Sequence, residues 1–267
     1  MLSDFHNDPA SRATEILKAF ELWRLPVDPL AVCKLEDIEV APGEYGHGFD
    51  GRIRYLREAN VFALAYQVSG TGRPLGRVHF TIAHELGHYY LHRTYLLGGH
   101  SHNSKADFTS KDAMESEADE FAASLLMPFE LFRTAVKEYR QSVCTLRELC
   151  ELAGRLGTSV TSTARRYCQA DIEPCAIVFS QRGTVQWACY SEDMRRLGMG
   201  FISFGRPLPR ASLSAKLFSG QTTATPCEGA IDPSVWFDRS FHRGQLWEEA
   251  ISFGDTGFGL SYLTLIE

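Results

Sequence analysis

The chain has 267 residues, of which 44% are hydrophobic, 22% charged and 12% aromatic. At roughly 100 to 200 residues per domain this is one large or two modest globular domains, and the balance excludes a disordered, collagenous or repeat protein. Lys plus Arg number 27 against 33 Asp plus Glu, and the net charge of −6 gives no global attraction to nucleic acid or to an anionic membrane.

Seven cysteines, at 33, 144, 150, 168, 175, 189 and 227, form an odd set with no CxxC pair. That excludes a zinc ribbon or a disulfide framework and predicts reduced thiols. The first twelve residues lack the basic start and apolar run of a secretory signal, and no segment approaches about 18 consecutive apolar residues. A cytoplasmic protein without membrane contact is the expectation.

In chain order, Ile16, Leu17, Phe20 and Trp23 recur at helical spacing and predict a helix from Ala13 to Trp23, ended by Pro26. Asp28-Pro29 has the form of an N-cap followed by Pro at the first helical position, so a short helix should run to about Cys33. Strands are expected at Asp37 to Val40, Arg52 to Tyr55 and Val61 to Gln67, then a loop from Ser69 to Pro74. A histidine-rich helix follows, and a second from Ser110 to Met127, closed by Pro128, with Ala118, Phe121, Ala122, Leu125 and Leu126 in one stripe.

Residues 129–170 read as helical and carry 7 Arg or Lys against 4 Glu, a local +3. Thr145 and Glu148 have capping-box spacing, and Gly157 suggests a turn into another helix, giving a helix-turn-helix-like segment. Beyond Pro174 strands resume at Cys175 to Phe179 and Thr184 to Tyr190, joined by a polar turn at Gln181 to Gly183. The expected fold class is α+β, with a small mixed sheet beside the histidine helix, the helical segment, and a C-terminal α+β domain. The expected divisions are 1–128, 129–170 and 171–267.

Six of the nine histidines fall between His79 and His102, and His84-Glu85-Leu86-Gly87-His88 holds the pattern that carries chemistry. Residues four apart share a helix face, so His84 and His88 can offer nitrogens to one ion, while Glu85 projects to the side, within reach of a water at that ion. Zinc lowers the pKa of water toward about 7 and polarises a peptide carbonyl, and a neighbouring carboxylate moves the proton to the leaving nitrogen. Gly87 inside a helix costs about 1 kcal/mol relative to Ala, which predicts a close backbone approach there.

A third ligand following HExxHxxGxxH would fall at Thr94, which cannot serve, so it must come from elsewhere. Glu115 and Asp119 extend the stripe of Ala118 and Ala122, and buried carboxylates need a cation or donors. Glu115 is assigned as the third ligand and Asp119, one turn later, as the acceptor that orients a ligand histidine. Glu117 and Glu120 fall off the stripe and are expected to be solvated.

Together, HFTIAHELGHYYLH at 79–92 and ESEADEFAASLLMP at 115–128 resemble the ImmA/IrrE family of zinc metallopeptidases. The resemblance extends over roughly residues 10–165. It implies a Zn2+ site of His84, His88 and Glu115 with Glu85 as catalytic base, matching the assignment from the residues. It further implies an endopeptidase whose protein substrate is a helix-turn-helix transcriptional repressor, acting in a stress, mobile-element or phage-related response.

Other residues carry weaker expectations. His92 is read as a core histidine or helix C-terminal cation rather than a ligand. His100 and His102, in a Gly/Ser/Asn-rich loop, and Tyr89 and Tyr90 are candidates for transition-state stabilisation, with a solvated loop and core packing as their ordinary roles. The alternative function is a DNA-binding regulator with a vestigial protease core, relying on residues 129–170, the basic helical segment that holds Arg165 and Arg166, although +3 over 42 residues is a modest field. The C-terminal aromatics Trp187, Trp236, Phe237 and Trp247 suit a core, or a ligand sensor gating the protease.

Overall fold

The computed structural model describes residues 8–46, 49–68, 74–100, 113–139, 144–222, 225–238 and 244–266, and over them the architecture is α+β. Two units emerge: Met1–Val136 with Ala153–Ser159, and Lys137–Leu152 with Val160–Glu267. The stretch 129–170 is thus shared between the two.

In the first unit, α1 (Pro9–Ala19) begins earlier than the apolar spacing predicts. Asp8 caps it, accepting from Ser11 N–H at 2.8 Å with Pro9 next, the same Asp-Pro signal that starts α2 (Pro29–Leu35) at Asp28. Glu21, at φ 58, lies just beyond the end of α1, so Trp23 lies outside the helix. The sheet comprises β1 (Glu39–Gly43), β2 (Gly51–Leu56) and β3 (Val61–Gln67) in the order β1-β3-β2, with β1 parallel and β2 antiparallel to β3. On β3 the period of two buries Phe62, Leu64 and Tyr66 on one face.

Helix α3 (Leu75–Leu91) packs on this sheet and on α5 (Ala113–Leu126), with α4 (Arg93–Leu97) after it. Phe80, Ile82, Ala83, Leu86 and Tyr89 are buried along α3. Its N-terminal end is held against the turn at 157–159, where a Cβ on Gly76 would stand 2.3 Å from the Thr158 carbonyl carbon. His79 Nδ1 also lies 3.1 Å from the Gly157 carbonyl oxygen. Helix α6 (Phe129–Tyr139) follows Pro128 as expected.

The helix-turn-helix-like pair is α7 (Leu146–Leu156) and α8 (Val160–Gln169). The capping box closes reciprocally, Thr145 N–H donating to Glu148 Oε2 at 2.8 Å and Glu148 N–H to Thr145 Oγ1 at 3.2 Å.

The second unit is built on an antiparallel sheet of β4 (Cys175–Gln181), β5 (Thr184–Tyr190), β6 (Cys227–Ile231), β7 (Gln245–Ser252) and β8 (Phe258–Ile266), ordered β5-β4-β8-β7-β6. Arg182 and Gly183, both with positive φ, make the tight β4–β5 turn. Short helices α9 (Glu192–Arg196) and α10 (Leu213–Phe218) complete it, and Trp236 and Phe237 are buried in its core.

Two adjacent buried acids on β7 tie helices to this sheet. Glu248 accepts from Leu213 N–H, Ser214 N–H and Trp236 Nε1–H at 2.9, 2.9 and 3.1 Å, and so caps α10. Glu249, whose side chain leaves the opposite face, accepts from Leu146 N–H at 2.8 Å and caps α7. Burial raises the pKa of Glu249 despite that bond.

Candidate metal centre

Helices α3 and α5 cross where neither carries bulk. A Cβ on Gly87 would lie 2.9 Å from Ala118 Cα and 3.1 Å from its carbonyl oxygen, so α5 occupies the space that the missing side chain leaves. This is the close approach that a glycine between His84 and His88 predicts. Ala118 stands between Glu115 and Asp119, so the contact that joins the helices also brings two histidines to two carboxylates.

The convergence is tight. His84 Nε2 lies 3.1 Å from His88 Nε2 and 3.3 Å from Glu115 Oε2, and His88 Nε2 lies 3.2 Å from Glu115 Oε1. Ligand-capable atoms of these three residues all lie within 4.8 Å of one another. Tetrahedral zinc with bonds of about 2.0 Å to nitrogen or oxygen has ligand-to-ligand edges of roughly 3.3 Å. The His84–His88 separation is close to that edge, each histidine nitrogen reaches a different oxygen of the Glu115 carboxylate, and two imidazoles with one carboxylate are a donor set suited to zinc. The residues therefore fit a metal ion.

Electrostatics agree with a cation-binding cluster. Burial works against charge on His84, but bonds to Asp119 and Glu115 and the nearby Glu85 carboxylate outweigh it and push its pKa up to about 10. Glu115 is also penalised by burial, yet His84 and His88 hold its carboxyl well below the usual range. A divalent ion would take the place of those protons.

Around this cluster, His84 Nδ1 lies 2.9 Å from Asp119 Oδ1. Glu85 is fully buried, and Ile53 N–H of β2 donates to its Oε2 at 2.8 Å. Gly51, at the start of β2, makes room for it: a Cβ there would stand 2.9 Å from Glu85 Oε1 and 2.5 Å from Thr81 Cγ2.

The other candidates lie elsewhere. Tyr89 and Tyr90 hydroxyls both donate to Glu36, at 2.6 and 2.9 Å, and burial together with that carboxylate raises both phenol pKa values. His100 is exposed and stacks on Tyr95, with ring centroids 4.6 Å apart. His102 falls outside the described residues.

His92 ends α3 as a histidine bonded at both ring nitrogens, in line with its structural reading, whereas the solvated reading of Glu117 needs correction. His92 Nδ1 lies 3.0 Å from His88 Nδ1, and its Nε2 lies 2.9 Å from Glu117 Oε2, so Glu117 has a partner where only solvent was expected. Four-residue spacing from His88 to His92 was the available signal; nothing local marked Glu117, 25 residues away.

Residues 71–167 match the family model described as the IrrE N-terminal-like domain, a peptidase family. No curated protein matches the sequence. Among solved structures, one described as a Mycobacterium tuberculosis transcriptional regulator is similar in fold, with a TM-score of 0.58 and 12% identity, over 98% of this chain and 90% of that one.

Proposed function

We propose that this chain, whose residues 71–167 belong to the ImmA/IrrE family, is a zinc-dependent endopeptidase that cleaves a protein substrate. The observation that carries the reading is the convergence of His84, His88 and Glu115, the two histidine Nε2 atoms 3.1 Å apart and 3.3 and 3.2 Å from Oε2 and Oε1 of the one carboxylate. Zinc held by these three would supply a Lewis acid for water and for the scissile carbonyl. Glu85 is the base. With Oε2 fixed by Ile53 N–H, Oε1 takes the proton of the attacking water and delivers it to the leaving nitrogen. Asp119, bonded to His84 Nδ1, holds that ring with Nε2 toward His88 and Glu115, where the metal would be bound.

For the substrate, the family resemblance supports a helix-turn-helix transcriptional repressor, and an extended substrate segment would pair with the edge of the small sheet. The solved neighbour is a regulator by its description, which is compatible with a regulatory setting. The DNA-binding alternative rests on residues 129–170 as a whole, and of its two named arginines only Arg165 is exposed. Arg166 is 1% exposed and Arg165 lies over the Trp187 ring, 5.7 Å from its centroid. Among the described residues no helix is long and apolar enough to cross a membrane.

The test is a pair of variants. Glu85→Gln is expected to bind zinc like wild type but to lose about 100-fold or more in cleavage. It should also retain the substrate for capture from the source cell. His84→Ala is expected to lose metal and cleavage together. Undiminished hydrolysis by Glu85→Gln would overturn the mechanism.

A further inference from the structure

We infer that His92 and Glu117 are positioning residues for the metal, forming a two-step relay that fixes the tautomer and ring orientation of His88. The inference rests on the zinc-site reading above and assigns to that site two residues that bind neither metal nor substrate.

The argument follows the protons. A metal ion at His88 Nε2 requires the lone pair there, so the ring proton of neutral His88 sits on Nδ1. That nitrogen faces His92 Nδ1 at 3.0 Å, and a proton between two nitrogens can belong to only one of them. With His88 donating, His92 Nδ1 must accept, and the His92 proton is confined to Nε2. Glu117 Oε2, 2.9 Å from that nitrogen, is an acceptor suited to hold it there. The order is therefore single: metal on His88 Nε2, His88 Nδ1–H to His92 Nδ1, His92 Nε2–H to Glu117. Reversing either bond places a proton where the metal must bind.

Burial gives the relay leverage. The His88 side chain is 1% exposed and that of His92 8%, so water competes poorly for these nitrogens, whereas Glu117 is 49% exposed and reaches the surface. The arrangement parallels His84, whose Nδ1 meets Asp119 directly at 2.9 Å. One ligand histidine is thus oriented by a carboxylate, and the other by a carboxylate acting through a second imidazole. Residues that orient metal-bound histidines commonly contribute about 10- to 100-fold in metal affinity.

The experiment measures Zn2+ affinity by competition with a chromophoric chelator for wild type, His92→Leu, His92→Gln, Glu117→Ala and Glu117→Gln. Nitrogen-15 NMR of labelled histidines is recorded on the zinc-loaded proteins. His92→Leu is expected to weaken zinc binding by about 10- to 100-fold. His92→Gln, whose amide can both accept from His88 and donate to Glu117, should recover most of that loss. Glu117→Ala, at a half-exposed position where folding is not at risk, should weaken binding several-fold and Glu117→Gln less. Wild-type spectra should show His92 as the Nε2–H tautomer and His88 as Nδ1–H, with His92 losing its single tautomer in Glu117→Ala.

Wild-type zinc affinity in both His92→Leu and Glu117→Ala, or a Nδ1–H tautomer of His92, would overturn the relay while leaving the zinc site intact. Equal losses in His92→Leu and His92→Gln would also overturn it, since packing alone would then explain the effect. Absence of zinc binding by wild type would overturn both readings.

Discussion

Gly87→Ala probes the contact that brings the His84, His88 and Glu115 cluster together. The added methyl would stand 2.9 Å from Ala118 Cα, against 3.4 Å for the near limit of ordinary contact, so the helices must separate by at least the difference, 0.5 Å. The obstacle is backbone and cannot swing away. Metal-ligand distances tolerate about 0.2 Å, so Glu115, three residues from Ala118, cannot follow that shift and still complete the site. Overpacking of this kind costs roughly 1 to 3 kcal/mol, while alanine gains about 1 kcal/mol over glycine in a helix. The metal-free protein should therefore lose no more than about 2 kcal/mol.

Bound metal holds the helices at their native spacing, so a further strain of roughly 1 to 3 kcal/mol, which the metal-free protein escapes by letting the helices separate, opposes binding. At 1.4 kcal/mol per decade, zinc affinity should fall by roughly 5- to 150-fold. Chelator competition together with denaturant unfolding measures both quantities. Gly154→Ala is the control, because nothing lies within 4 Å of its added methyl. It should add up to about 1 kcal/mol of stability without touching zinc affinity. A Gly87→Ala protein that binds zinc within about twofold of wild type would refute the argument that the close crossing sets ligand spacing.

Further outcomes follow from the same geometry. Gly51→Ala would put its methyl 2.9 Å from Glu85 Oε1 and is expected to lower kcat while leaving zinc affinity near wild type, which steady-state kinetics and metal titration would separate. The raised pKa of His84 adds stability to the metal-free protein that is complete below 6.5 and is lost as pH rises through about 10. The depressed pKa of Glu115 adds stability present above 4.5 and lost as pH falls through its folded value. In metal-free thermal melts both contributions are complete between pH 4.5 and 6.5, and the His84 share declines toward pH 10. Zinc uptake near pH 8 should release protons, seen as a buffer-dependent binding heat.

The convergence of His84, His88 and Glu115 was more legible in the sequence than the architecture around it. HELGH and the Glu115 stripe mark themselves because a ligand pair at four-residue spacing is a local pattern, and Gly87 flagged its own contact. The starts of α2 and α7 were likewise readable, from Asp28-Pro29 and from Thr145 with Glu148. Asp8-Pro9 carried the same signal as Asp28-Pro29 and was overridden by apolar spacing that continued to Trp23. Partners distant along the chain stayed hidden: Glu36 lies 53 and 54 residues from Tyr89 and Tyr90, and Glu249 lies 103 from Leu146. No local pattern encodes such pairs. Likewise β6, β7 and β8 were not assigned, because strands buried over most of their length, such as β8, lack the polar alternation that identifies a half-buried strand.

The bond from Leu146 to Glu249 has a practical meaning for dissecting the protein. The chain passes between the two units three times, at 136/137, 152/153 and 159/160, so no single cut releases one intact. A break near residue 170 leaves α7 and α8 on one fragment and the sheet that receives them on the other. Glu249 then loses its amide donor, and the faces of Tyr167 and Cys168 lose their cover. Each fragment carries what the other lacks. Mixed, 1–170 and 171–267 are complementary halves, which should restore the Leu146–Glu249 bond and the cover of α8 only by reassociating.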